Sequence, residues 1–101
     1  MDNIEYINGN VTLAATDRDM SGLIDVMAAE LDVGESVRVK VKSVIKFWTV
    51  KLILFDPNGK ELKKYDYITN NIIQVTAKTI GIYKLKAETS NFRGFVRLVK
   101  E

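Results

Sequence analysis

The chain contains no cysteine and no histidine. Without cysteine, no disulfide staples the fold and no thiolate binds a metal. Without histidine, the commonest general base and the commonest transition-metal ligand are both missing. Apolar runs long enough to cross a bilayer as a helix are also absent, so no membrane span is expected. The opening Met1-Asp2-Asn3-Ile4-Glu5 lacks the basic-then-apolar pattern of a signal peptide. Charge of one sign is scarce too: the net charge is only +2. A long polyanion usually selects a stronger basic excess, which makes nucleic acid an unexpected partner.

What remains is an ordinary globular balance. The 101 residues are 47% apolar and 28% charged, which suits one folded domain over residues 1–101 rather than a disordered chain. The patterning is that of short strands. Val37, Val39 and Val41 alternate with Arg38, Lys40 and Lys42, with the period of two that turns one face inward and the other to water. Phe47 to Phe55 is almost continuously apolar or β-branched, with Lys51 its one charge, and predicts a strand buried on much of both faces. Asp56-Pro57-Asn58-Gly59 then predicts a tight hairpin turn. Pro suits its second position, and Gly supplies a left-handed closing residue.

Further on, Glu61 to Tyr67 predicts a short strand, Thr69-Asn70-Asn71 a turn, and Ile72 to Ala77 another strand. Gly81 breaks the pattern. Tyr83, Leu85 and Ala87 then alternate with Lys84, Lys86 and Glu88, Ser90-Asn91 predicts a turn, and Phe95 to Val99 predicts a last strand. Short strands at this spacing indicate an all-β fold, a small antiparallel β-sandwich of jelly-roll or immunoglobulin-like kind. Before Val37 the pattern divides. Val11 to Ala15 suits a strand after Asn8-Gly9. Met20, Leu23, Ile24, Met27 and Leu31 fall at helical spacing, and Asp17 or Asp19 can cap such a helix. Gly22 and the run Leu23-Ile24-Asp25-Val26 favour a strand instead. One short helix within 19–31 therefore stands beside the strand reading.

Ser21 to Val26 and Glu30 to Val39 resemble the opening of the bacterial pre-peptidase C-terminal domains. Leu52 to Leu62, with its Asp-Pro-Asn-Gly turn, resembles their central hairpin; Gly81 to Ala87 and Gly94 to Leu98 resemble their last two strands. The resemblance implies a compact antiparallel sandwich, usually appended to an enzyme or a surface protein. It implies no catalytic residues.

No catalytic constellation emerges from the residues themselves. Ser21, Ser36, Ser43 and Ser90 have no histidine to activate them. Asp17, Asp19 and Asp25 are a sparse oxygen set for a hard cation and lack the glycine and distal glutamate of an EF-hand loop. No metal, no cofactor and no enzyme activity are expected. The positive leads are surfaces. Arg38, Lys40 and Lys42 project from one face of their strand and Lys84 and Lys86 from one face of theirs, so one cationic patch forms if both strands share a sheet. Trp48 next to Phe47 points to the opposite face from it, and an exposed Trp can stack on a sugar or anchor a protein. The expectation is a non-catalytic structural or interaction module that docks onto a larger assembly or surface. Its partner is a protein or further copies of itself. Such a module is an appendage domain or a virion or surface decoration protein. A carbohydrate-binding module using Trp48 and the basic face is the alternative. An extracellular, surface or virion setting follows from either.

Overall fold

The structure is a computed structural model. It describes residues 3–7, 10–65 and 72–101, with side chains placed at 22–42, 50–65, 72–90 and 96–101. The described residues form six strands and no helix. These are β1 (Asn3–Ile7), β2 (Asn10–Leu31), β3 (Ser36–Phe55), β4 (Glu61–Tyr65), β5 (Ile72–Thr76) and β6 (Gly81–Lys100). All pairings are antiparallel. The order is β1-β2-β6-β3-β4, and β5 pairs with β3 beside β4.

Three strands are unusually long, and their length dictates the architecture. A straight 20-residue strand would span roughly 66 Å, but the molecule is only 41 Å in its longest dimension. The strands must bend. They do so together, where the register slips: between Ala15 and Gly22 on β2, between Ile45 and Thr49 on β3, and opposite them on β6. Slips of this kind bend a strand and increase its twist. One hydrogen-bonded sheet thereby folds into two packed layers, a β-sandwich. The first layer holds β1, the start of β2, the end of β6, the start of β3 and β5. The second holds the end of β2, the start of β6, the end of β3, and β4.

The burial pattern records the slips. Val41 and Val50 both lie in the core, yet nine residues separate them, which strict alternation would put on opposite faces. The same holds for Ala87 and Val96 on β6. In each case an extra residue at the bend restores the inward phase. The core collects Val39, Val41, Ile73, Val75, Val96 and Leu98 from the first layer. It meets Val26, Leu31, Val50, Leu52, Leu54, Tyr83, Leu85 and Ala87 from the second. Residues 50–54 bear out the expected two-sided burial: Val50, Leu52, Ile53 and Leu54 are all buried.

The helix within 19–31 does not form; this stretch is strand throughout. Its helical spacing has a physical source. Asp25 pairs with Lys86 and Met27 with Leu85, so Val26 is an extra residue in the ladder. Val26 is buried, and Ile24 and Met27 both pack against the core. The extra residue turns a step of two into a step of three, which imitates one face of a helix. The turn expected at Ser90-Asn91 is also absent. β6 runs through it with a register slip, and β3 likewise joins the two strands expected at 37–41 and 47–55. Turn-forming residues here soften a bend rather than reverse the chain.

The hairpins follow their residues. In the β3–β4 turn the Gly59 N–H donates to the Asp56 carbonyl at 3.0 Å, and Gly59 has φ +82°. Asp56 Oδ1 accepts from the N–H groups of Asn58 and Lys60, both at 2.9 Å. In the β2–β3 turn the Glu35 N–H donates to the Asp32 carbonyl at 3.0 Å, with Gly34 at φ +87°, as a type II turn requires at that position. Gly34 also donates to the Ala77 carbonyl at 2.8 Å, which ties this turn to the end of β5. The expected turns at Asn8-Gly9 and Thr69-Asn70-Asn71 lie outside the described residues.

Candidate functional site: the outer faces of the two layers

The sheet folds over, so the five basic residues singled out from the sequence do not form one patch. Arg38, Lys40 and Lys42 alternate with Val37, Val39 and Val41 and stand exposed on the outer face of the first layer. Lys84 and Lys86 alternate with Tyr83, Leu85 and Ala87 and stand on the outer face of the second. Both strands belong to one hydrogen-bonded sheet, but its fold turns their polar faces apart.

The two faces differ in charge. On the second layer, two cations lie against acids. Lys86 Nζ lies 3.5 Å from Asp25 Oδ1, and Lys64 Nζ lies 3.8 Å from Glu88 Oε2. Lys86 also stands 5.2 Å from the centre of the Phe55 ring, within cation–π range. These are the cross-strand pairs that stabilise a solvated sheet face.

On the first layer, register adds a fourth cation. Lys42 pairs with Arg97 of β6, and Arg97 is exposed. Around Arg38, Lys40, Lys42 and Arg97 the outward residues are Ser36, Ile72, Gln74, Thr76, Val99 and Glu101. Glu101 is the one acid among them; its N–H donates to the Arg38 carbonyl, which places it beside Arg38. The row that carries Lys42 and Arg97 continues through Thr12 to Glu5 of β1, two strands beyond Arg97. None of the four cations forms an ion pair with a described residue. A like-charge pair directly opposite in a ladder is destabilising, so Lys42 beside Arg97 is an arrangement that stability alone does not select.

Arg97 was accessible to sequence reasoning only in part. Its alternation with Val96 and Leu98 marks it as outward-facing, but the strand it pairs with is set by the topology. Trp48 lies in the bend of β3, between the pairs Phe47–Arg93 and Thr49–Ser90, and its side chain is outside the described residues. So are the side chains of Asp17 and Asp19, whose backbone belongs to β2. Among the described residues, no group of three acidic side chains is placed to hold a metal ion. No helix among the described residues is long and apolar enough to cross a membrane.

Two small concavities are formed by the described residues. An apolar crevice of about 40 Å³ opens between the layers, lined by Met27, Ala29, Val37, Leu54, Ile73 and Tyr83 among others, with Lys100 at its rim. A shallow hollow of about 210 Å³ lies over the extra residue of β2, between Asp25 and Lys84. Small-molecule sites usually occupy about 300–1,000 Å³. Tyr65, half-buried in β4, has its phenol pushed above the ordinary value by burial; its ring lies 5.0 Å beneath Lys63 Nζ. Compared with known proteins, the chain matches no family model and no curated protein.

Proposed function

We propose that this chain is a non-catalytic interaction module, an appendage domain or a virion or surface decoration protein. It docks onto a larger assembly or surface through the outer face of its first layer. One observation carries this reading: Arg38, Lys40, Lys42 and Arg97 share that face with Glu101 as the one acid among the described residues around them, and none of the four is ion-paired to a described residue, whereas two ion pairs cross the opposite face. An unpaired cationic face meets a complementary anionic partner with less desolvation of matched pairs and a faster encounter. The small concavities and the absence of histidine and cysteine support a docking role over catalysis. The wider setting that fits is the one the pre-peptidase C-terminal resemblance implies, a module attached to something larger.

The test is binding to immobilised anionic surfaces, carboxylated and sulfated, by surface plasmon resonance. Arg38→Glu, Lys40→Glu and Lys42→Glu together are expected to abolish retention, and Lys84→Glu with Lys86→Glu to leave most of it. Equal loss from the two sets would remove the first-layer face as the docking site. Retention on the sulfated surface alone would favour an anionic glycan and the carbohydrate-binding alternative.

A further inference from the structure

The edges of the two layers are defended unequally. β4, an edge of the second layer, is five residues long and carries Glu61, Lys63 and Lys64. The free edge of β2 in that layer is broken by the extra residue Val26 and flanked by Asp25 and Glu30. Short, charged and bulged edges resist pairing with another chain. β5 has none of these devices except shortness. Its sequence, Ile-Ile-Gln-Val-Thr, holds no charge, no proline and no register slip against β3.

Hydrogen-bond phase fixes which groups this edge presents. The Ala77 N–H donates to the Glu35 carbonyl at 2.8 Å, so residues 35 and 77 form a hydrogen-bonded pair. Bonded and non-bonded pairs alternate along an antiparallel ladder. Val37–Val75 and Val39–Ile73 are therefore bonded pairs, and Arg38–Gln74 and Lys40–Ile72 are not. An independent contact agrees: the Arg38 carbonyl accepts from the Glu101 N–H at 2.9 Å, on the β6 side of β3. The backbone groups of Ile72, Gln74 and Thr76 consequently point away from β3, toward the open edge. The side chains of these same three residues are exposed on the cationic face, directly opposite Lys40, Arg38 and Ser36.

We infer that β5 accepts an extended acidic segment of a partner protein as an added antiparallel or parallel strand, with the segment's outward acidic side chains reaching Arg38 and Lys40. This rests on the docking face proposed above and names the partner class for it. The added strand would lie about 9.6 Å from β3, two strand spacings away, which long Arg, Lys and Glu side chains span together. Alternate side chains of a strand share a face about 6.6 Å apart, the same repeat that separates Arg38 from Lys40. A second copy of this chain fits less well, because pairing through two β5 edges brings two cationic rows together across the joint. Backbone bonds would give such a complex its affinity and the alternate charges its specificity.

The test uses the full chain and a labelled peptide of alternating Glu and Val, with alternating Lys and Val as control, by fluorescence anisotropy. Binding of the acidic peptide alone is expected. Gln74→Pro removes an N–H that the fold does not use, and is expected to weaken binding at least tenfold. Gln74→Glu leaves the backbone intact and should also weaken binding at least tenfold. Circular dichroism confirms that each variant is folded. Full affinity in both variants, with loss in Arg38→Glu/Lys40→Glu, would overturn the edge while leaving the docking face standing. No binding of the acidic peptide, with retention of the chain on an anionic surface, would overturn the acidic-strand partner. A dimer at working concentration that Gln74→Pro dissolves would assign the edge to a second copy and overturn the inference.

Discussion

Pro57, in the β3–β4 turn, lies so close to Gly81 at the start of β6 that a Cβ on residue 81 would sit 2.6 Å from the Cβ of Pro57. Gly81 also has φ +149°, where a side chain is strained. The contact locks a hairpin turn of the second layer onto the strand that runs through both layers. Gly81→Ala is expected to cost about 2–6 kcal/mol, from backbone strain and overpacking of roughly 1–3 kcal/mol each. Pro57→Gly in the same chain should recover the overlap but not the strain. Urea denaturation of the two single variants and the double variant checks this, and strictly additive losses would contradict it.

The core claim is checked at two leucines. Leu52 is fully buried on β3, and Leu23 is 56% exposed on β2. Leu52→Ala should destabilise by about 2–5 kcal/mol. Leu23→Ala should stay within about 0.5 kcal/mol of the parent. Equal losses would mean that the second layer faces the other way.

Lys42 and Arg97 give a prediction of opposite sign. Arg97→Glu replaces repulsion across the ladder with attraction and should raise stability by about 0.2–1 kcal/mol. The gain should shrink in 1 M salt, where the screening length is about 3 Å. The same change should weaken docking. Thermal unfolding at low and high salt reads the first effect, and binding to a carboxylated surface the second. A variant that is less stable than the parent in low salt would contradict the pairing.

Tyr65 sets an alkaline limit. Burial disfavours its phenolate in the folded state, so its folded pKa lies above the ordinary tyrosine value of about 10. The unfolded chain then loses this proton first as pH rises. The contribution is therefore intact below the ordinary value and lost as pH climbs through the raised one. Melting temperature followed upward from about pH 8 should fall less steeply in Tyr65→Phe than in the parent. Parallel curves would show that burial of Tyr65 is not felt by its hydroxyl.

The legible parts of this fold are those decided locally. Val39 and Val41 face inward because their neighbours are charged, and Asp56 to Gly59 turns because its side-chain oxygen, proline and glycine all favour a turn. The sandwich itself follows from such segments. The bends were not legible, because continuity through Ser90-Asn91 depends on β6 being held between β2 and β3 along its length. The strand at 20–31 was disguised by Val26, whose extra place in the ladder produced a helical spacing. The candidate site was half legible. Arg38, Lys40 and Lys42 were plain from alternation, but register alone brings Arg97 beside them. The bend alone takes Lys84 and Lys86 away.

The most direct test of the docking face is a backbone-amide NMR titration of the full chain with polyglutamate. The account places the shifted resonances at 38–42, 72–76 and Arg97, with Ile82 to Lys86 left unmoved. Shifts centred on Lys84 and Lys86, or spread evenly over both layers, would contradict it.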